Sequence, residues 1–116
     1  MSLAKKLNLK DGMKARVIGK PRGVDLDDVV TSTSAKAEGL LVFVQHLEDV
    51  ETKCAPLIAA AKEDRVAWVV YPKAGQLGTD LNRDILWKRL AEDGIDSVRQ
   101  VSVDDVWSAL RFRPAK

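Results

Sequence analysis

Two stretches of the chain are apolar except at one end, and the alternation of a half-exposed strand is missing from both. Leu40-Leu41-Val42-Phe43-Val44-Gln45 and Arg65-Val66-Ala67-Trp68-Val69-Val70-Tyr71 are short, β-branched and aromatic. Such runs predict strands covered on both faces, as crossover helices cover a parallel sheet. The second run, bounded by Lys62 to Asp64 and by Pro72, is the predicted central strand. Met13 through Ile18 alternates and predicts the first strand. Val98 to Val103 and Trp107 to Arg113 predict two more, and only Asp104-Asp105-Val106 lies between them. A connection so short requires an antiparallel hairpin.

Between the strands the period changes. Val50, Cys54, Leu57, Ile58 and Ala61 form one helical stripe, with Glu48 or Asp49 as the expected cap. Pro56 inside that stripe predicts a kink or a restart. Thr79-Asp80 offer cap oxygens to a helix over Leu81 to Asp93, closed by Gly94. Its Leu81, Ile85, Leu86, Trp87 and Leu90 spread widely around the axis, so it is either deeply packed or partly covered by a partner, and burial of Trp87 is the expectation. Ser2 to Asn8 predicts one or two turns capped by Ser2, with Leu3 and Leu7 paired, and Leu9 to Gly12 a turn through Asp11. From Val24 to Gly39 the signals are weak: Leu26, Val29 and Val30 fit a helical turn, and Val29-Val30-Thr31 fits a short strand.

The order of elements predicts one α/β domain over residues 1–116, a mostly parallel sheet with helices on both faces and a C-terminal antiparallel hairpin. Open α/β sheets bind ligands outside the carboxyl ends of their strands, and a helix N-terminus favours anions. Lys73 stands at such an end, followed by a loop with Gly75 and Gly78 and then by Thr79 and Asp80. These residues form a candidate anion site. Tyr71, Gln45, His46, Asp104, Asp105, Trp107 and Ser108 fall on the same rim, whereas Arg111 and Arg113 fall toward the opposite edge. Trp107, beside two aspartates, is a ligand platform, an interface anchor or plain packing.

Trp68-Val69-Val70-Tyr71-Pro72-Lys73, Thr79-Asp80-Leu81 and Asp104-Asp105-Val106-Trp107-Ser108-Ala109-Leu110-Arg111-Phe112, with the opening Leu3-Ala4-Lys5-Lys6-Leu7 and Gly12-Met13, resemble a small bacterial family of domains of unknown function. The resemblance covers nearly the whole chain and is weakest between Val24 and Gly39. It implies a reduced Rossmann-like sheet similar to the second half of the methyltransferase fold, and it implies no activity.

Composition narrows the functions. Lys plus Arg total 19 against 17 Asp plus Glu, and a net +2 gives little pull toward nucleic acid or membrane. Arg99, Arg111 and Arg113 with Phe112 would otherwise suggest a nucleic-acid face. The single Cys54 makes no internal disulfide, and a reducing, cytoplasmic setting is the expectation. Cys54 reads as a core residue rather than a nucleophile. Gly19 and Gly23 enclose Lys20-Pro21-Arg22, side chains that would fill cofactor space, and Val30-Thr31-Ser32 carries no acid for a ribose, so no dinucleotide or adenosyl cofactor is expected. A phosphate loop and a G-x-S-x-G turn are both missing from the sequence. His46 with Ser108 and Asp104 or Asp105 supplies triad residue types only. One His and one Cys make no metal cluster. The reading that follows is a non-catalytic binding module for a small anion or a protein partner. An enzyme with a rim site, degenerate methyltransferase-like or hydrolase, and a structural or oligomerising domain are the alternatives. Oligomeric state stays open.

Overall fold

The computed structural model describes residues 3–10, 12–26, 28–34 and 36–115. The expected Ser2 cap and Asp11 of the expected turn lie outside them. Helices α1 (Leu3–Lys6), α2 (Leu47–Lys53), α3 (Ala55–Lys62) and α4 (Arg83–Ala91) accompany strands β1 (Ala15–Ile18), β2 (Thr31–Ser32), β3 (Gly39–Phe43), β4 (Val66–Pro72), β5 (Ile95–Ser102) and β6 (Trp107–Pro114). The strands form one six-stranded sheet in the order β2-β1-β3-β4-β6-β5. No helix among the described residues is long and apolar enough to cross a membrane.

The chain is α/β, and its sheet is mixed where a mostly parallel one was expected. β1 pairs in parallel with β2 and with β3, and β3 in parallel with β4. β6 runs antiparallel to both of its neighbours, β4 and β5. The short β5–β6 connection forces the hairpin, and insertion of β6 beside β4 adds the second antiparallel pair. β5 starts at Ile95, three residues before the predicted strand. The Val29 to Thr31 ambiguity resolves into a two-residue strand, Thr31–Ser32, pairing with Ala15 and Arg16.

All of β3 is buried, and every β4 residue after Val66 is buried, as their unbroken apolar runs require. Leu40, Val42, Ala67, Val69, Leu110 and Phe112 face the helical layer, where Val50, Leu57, Leu86 and Leu90 meet them. Leu41, Phe43, Trp68, Val70 and Ala109 face the other way, against Leu3, Leu7, Val24, Leu26 and Val29. This second face lacks a full helical layer. The four-residue α1 and an irregular segment cover it, because Pro21 and Gly23, the latter at φ +85°, break the chain that leaves β1. Pro56 sits in the first turn of α3, where its missing N–H costs nothing, so the predicted stripe restarts after Cys54 instead of bending.

Trp68 ties the layers together. It is fully buried, and its Nε1–H donates to the Leu7 carbonyl at 2.9 Å, fixing the chain after α1 onto the sheet. Trp68→Ala is expected to destabilise the protein by about 3–5 kcal/mol, since a large core aromatic is removed and a buried carbonyl loses its donor. Urea unfolding measures this, and a change within error would show that the second face does not depend on Trp68.

Candidate functional site

The ends of β3 and β4 meet through side chains that the sequence places in loops. Gln45 Nε2 donates to the Leu77 carbonyl at 2.8 Å, and the Thr79 hydroxyl donates to the Gln45 carbonyl. The Leu47 amide donates to Asp80 Oδ1 at 2.9 Å, and His46 Nδ1 lies 3.7 Å from the same oxygen. Thr79 Oγ1 also accepts from the Leu81 amide at 3.0 Å. Thr79 and Asp80 therefore clamp the β4–α4 loop to the start of α2 and do not cap α4 as expected. The cap is Asn82, whose Oδ1 accepts from the Ile85 amide at 2.9 Å, and the helix begins at Arg83. The amides expected at Thr79 belong to a loop, not to a helix end.

The start of α2 differs from expectation in the same way. Its N-cap is His46, and Asp49 reaches back so that Oδ2 accepts from the Gln45 amide at 3.0 Å and the His46 amide at 3.1 Å. Partial burial pushes the Asp49 carboxyl up, but the two amides, with Lys53 and His46, outweigh it and hold the group below its ordinary value.

At the β4–β6 end, the Lys73 amide donates to the Val106 carbonyl at 2.7 Å, and Lys73 Nζ donates to Ser102 Oγ at 2.9 Å. Asp104 Oδ1 accepts from the amides of Val106 and Trp107, both at 2.8 Å, which makes Asp104 the organiser of the hairpin turn. Asp105 is exposed. Tyr71 is buried, its hydroxyl accepts from Gln100 Nε2 at 3.0 Å, and burial raises its pKa above the ordinary value. Ser108 lies opposite Tyr71 and Ser102 in register and is buried. Trp107 is 5% exposed and meets Phe43 edge to face at 5.5 Å, so of its three expected roles the observed one is packing.

The rim residues thus gather at one sheet edge without forming one cleft. Tyr71 packs with the helical face and Trp107 with the other. His46 neighbours Asp80, while Asp104 is engaged in its turn, and no hydrogen bond joins His46 to Ser108 among the described residues. The triad types are not assembled. Cys54 is fully buried, and desolvation pushes its thiol up to about 12, which leaves no thiolate for chemistry. Among the described residues no cluster of His, Cys, Asp and Glu is placed to hold a metal.

Two features remain open. In the Lys73 loop, Gly75, Leu77 and Gly78 take φ of +84°, +53° and +65°, and among the described residues their amides donate no hydrogen bond. Leu77 in this region is strained, and the clamp from Gln45 to its carbonyl holds it there. The second feature is the crevice where the strand order reverses, between β1 and β3. Gly19 fills it closely: at φ +74°, a Cβ there would stand 3.1 Å from the Phe43 carbonyl oxygen. The cleft left among Gly19, Pro21, Asp49, Lys53 and Trp107 holds about 80 Å³. Beside it an open hollow of about 700 Å³ lies over the ends of β1 and β2, lined by Val17, Lys20, Thr31, Ser32 and Thr33. The sequence reading missed this set because β2 is too short to carry a strand pattern. Lys20 Nζ is turned into its own loop, donating to the Val24 carbonyl at 2.9 Å.

Asp49→Ala is expected to cost about 1–2 kcal/mol at neutral pH, the range of a lost cap. The folded-state value of Asp49 is depressed, so its contribution is complete above the unfolded value of about 3.9 and disappears as pH falls through the folded value. Unfolding free energies of wild type and variant should therefore converge in acid, and a gap that persists there would refute the ionic cap. Comparison with family models, with curated proteins and with solved structures finds nothing that matches the chain.

Proposed function

We propose that the protein is a non-catalytic binding module, with a weak site for a small anionic ligand at the loop from Lys73 to Gly78. The observation that carries this reading is the state of the rim's polar groups. The carboxylates of Asp49, Asp80 and Asp104 and the hydroxyl of Thr79 are consumed by backbone partners, so none is placed as a base or nucleophile. Lys73 Nζ spends one of its three donors on Ser102, and the amides of Gly75, Leu77 and Gly78, in the loop that follows Lys73, donate no hydrogen bond among the described residues. A cation next to free amides in left-handed conformations suits an anion. The donors are loop amides rather than helix-end amides, since α4 begins at Arg83.

The finer reading of the fold belongs to the same proposal: a reduced Rossmann-like sheet, similar to part of a methyltransferase, from a bacterial, cytoplasmic family of domains of unknown function. It is supported by the parallel β2-β1-β3-β4 order and by β6 inserted antiparallel before β5. The cofactor is not part of the proposal. Ligand pockets of this kind run to roughly 300–1,000 Å³, and the switch-point cleft holds about 80 Å³. The wider hollow at Thr31 to Thr33 carries no acid to hold a ribose. Calorimetric titration with adenosyl-methionine or a nicotinamide dinucleotide should give no heat of micromolar binding, and such binding would restore the enzyme reading.

Two or three charge-assisted contacts, less the entropy of association, support affinity for phosphate only in the high-micromolar to millimolar range, roughly. In an NMR amide titration with phosphate, shifts should cluster from Gly75 to Leu81 and shrink in Lys73→Ala. Shifts scattered over Arg99, Arg111 and Arg113, or an indifferent variant, would remove the site.

A further inference from the structure

Leu77 stands where neither its side chain nor its backbone is favoured. It is 50% exposed, belongs to neither core cluster, and its φ of +53° lies in the left-handed region. The other non-glycine residues at positive φ among the described residues are Asn8 and Asp64, whose short polar side chains tolerate it. The other large apolar side chains that stand exposed, Val30, Ile85, Trp87 and Val98, all have negative φ. Trp87, expected to be buried, is 40% exposed, and Asp96 Oδ1 accepts from its Nε1–H at 2.6 Å.

Two successive turns put Leu77 in this conformation. The Gln76 amide donates to the Lys73 carbonyl at 2.9 Å and the Thr79 amide to the Gln76 carbonyl at 3.0 Å, so Leu77 and Gly78 are the central residues of the second turn, both at positive φ. A turn of that hand prefers Asn-Gly or Gly-Gly. The Gln45 clamp grips the Leu77 carbonyl, and it would hold an asparagine or a glycine in the same way. The fold therefore has no use for the leucine side chain, and strain without a structural reason points to function. The surroundings are open: a Cβ placed on Gly75 or Gly78 would meet no atom within 4 Å beyond its chain neighbours.

We propose that the ligand of the Lys73 loop is a phosphate monoester whose apolar group lies against Leu77, which makes Leu77 a specificity-determining residue. The inference rests on the anion reading of that loop and adds that the ligand is amphiphilic. The amides of Gly75, Leu77 and Gly78 with the Lys73 ammonium outnumber the oxygens of a carboxylate and suit the three terminal oxygens of a phosphoryl group. Inorganic phosphate can use those donors but leaves Leu77 in water. An ester covers it.

Methyl phosphate and butyl phosphate carry the same charge and differ only in alkyl length. In NMR titrations of the wild-type protein both should shift Gly75 to Leu81. Butyl phosphate should bind about three- to tenfold more tightly, the gain from covering the exposed half of one leucine, and should move the Leu77 methyl resonances. In Leu77→Asn the left-handed backbone suits the side chain, so the melting temperature should hold or rise, methyl phosphate should bind as before, and the preference for the butyl ester should vanish. Equal affinities for the two esters on wild type, or a preference that survives Leu77→Asn, would overturn the role of Leu77 and leave the anion site standing. A lower melting temperature together with lost methyl phosphate binding in Leu77→Asn would make Leu77 a structural part of the loop and overturn it as well. If neither ester shifts Gly75 to Leu81, the anion site itself falls and takes this inference with it.

Discussion

The double burial of β4 is the constraint from which the rest of the architecture follows. Val69 and Tyr71 require the helical layer, and Trp68 and Val70 require cover on the opposite face. The chain supplies α2, α3 and α4 for the first and, among the described residues, no comparable helix for the second. Trp68 resolves the shortage: its ring fills space that a helix would fill, and its Nε1–H pins the turn after α1, so a single helical turn plus Val24, Leu26 and Val29 is enough. A buried indole N–H needs an acceptor, and a carbonyl just past a short helix needs a donor. Each satisfies the other.

The same logic shapes the rim at the strand ends. Loops that meet at strand ends leave polar backbone groups without ladder partners, and here Asp49, Asp80, Asp104, Thr79 and Gln45 are spent on them. That ties the loops to one another through the backbone. The residue types of a hydrolase triad are thus present on one edge without being assembled.

The sequence made the strands legible because burial on both faces writes an unbroken apolar run, as at Leu40 to Val44, and the hairpin legible because Asp104 to Val106 is too short for anything else. Side-chain to backbone bonds were less legible. Thr79, Asp80 and Asn82 are all plausible caps by type, and only the position of β3's end decides that the first two reach Gln45 and Leu47 while Asn82 caps. The same holds for Asp49, read as a cap residue and found reaching back to His46 from inside α2. Strand order was likewise beyond pattern: nothing in Val98 to Arg113 says that β6 rather than β5 lies against β4.

Charge explains why a composition near neutrality still leaves distinct surfaces. Arg89 forks onto Glu51 and also reaches Asp93 at 2.7 Å, joining α2 to α4, and Arg113 forks onto Asp64 at 2.7 and 2.9 Å, closing the opposite edge. These hydrogen bonds hold Glu51 and Asp64 below their ordinary values. Such exposed pairs add modest stability, but they decide which charges remain. Acids from distant parts of the chain are drawn into bidentate arginine contacts on two sides of the molecule, so net +2 spread evenly in sequence becomes uneven in space. Lys88 and Arg99, by contrast, form no ion pair among the described residues, a distinction that a neutral average conceals.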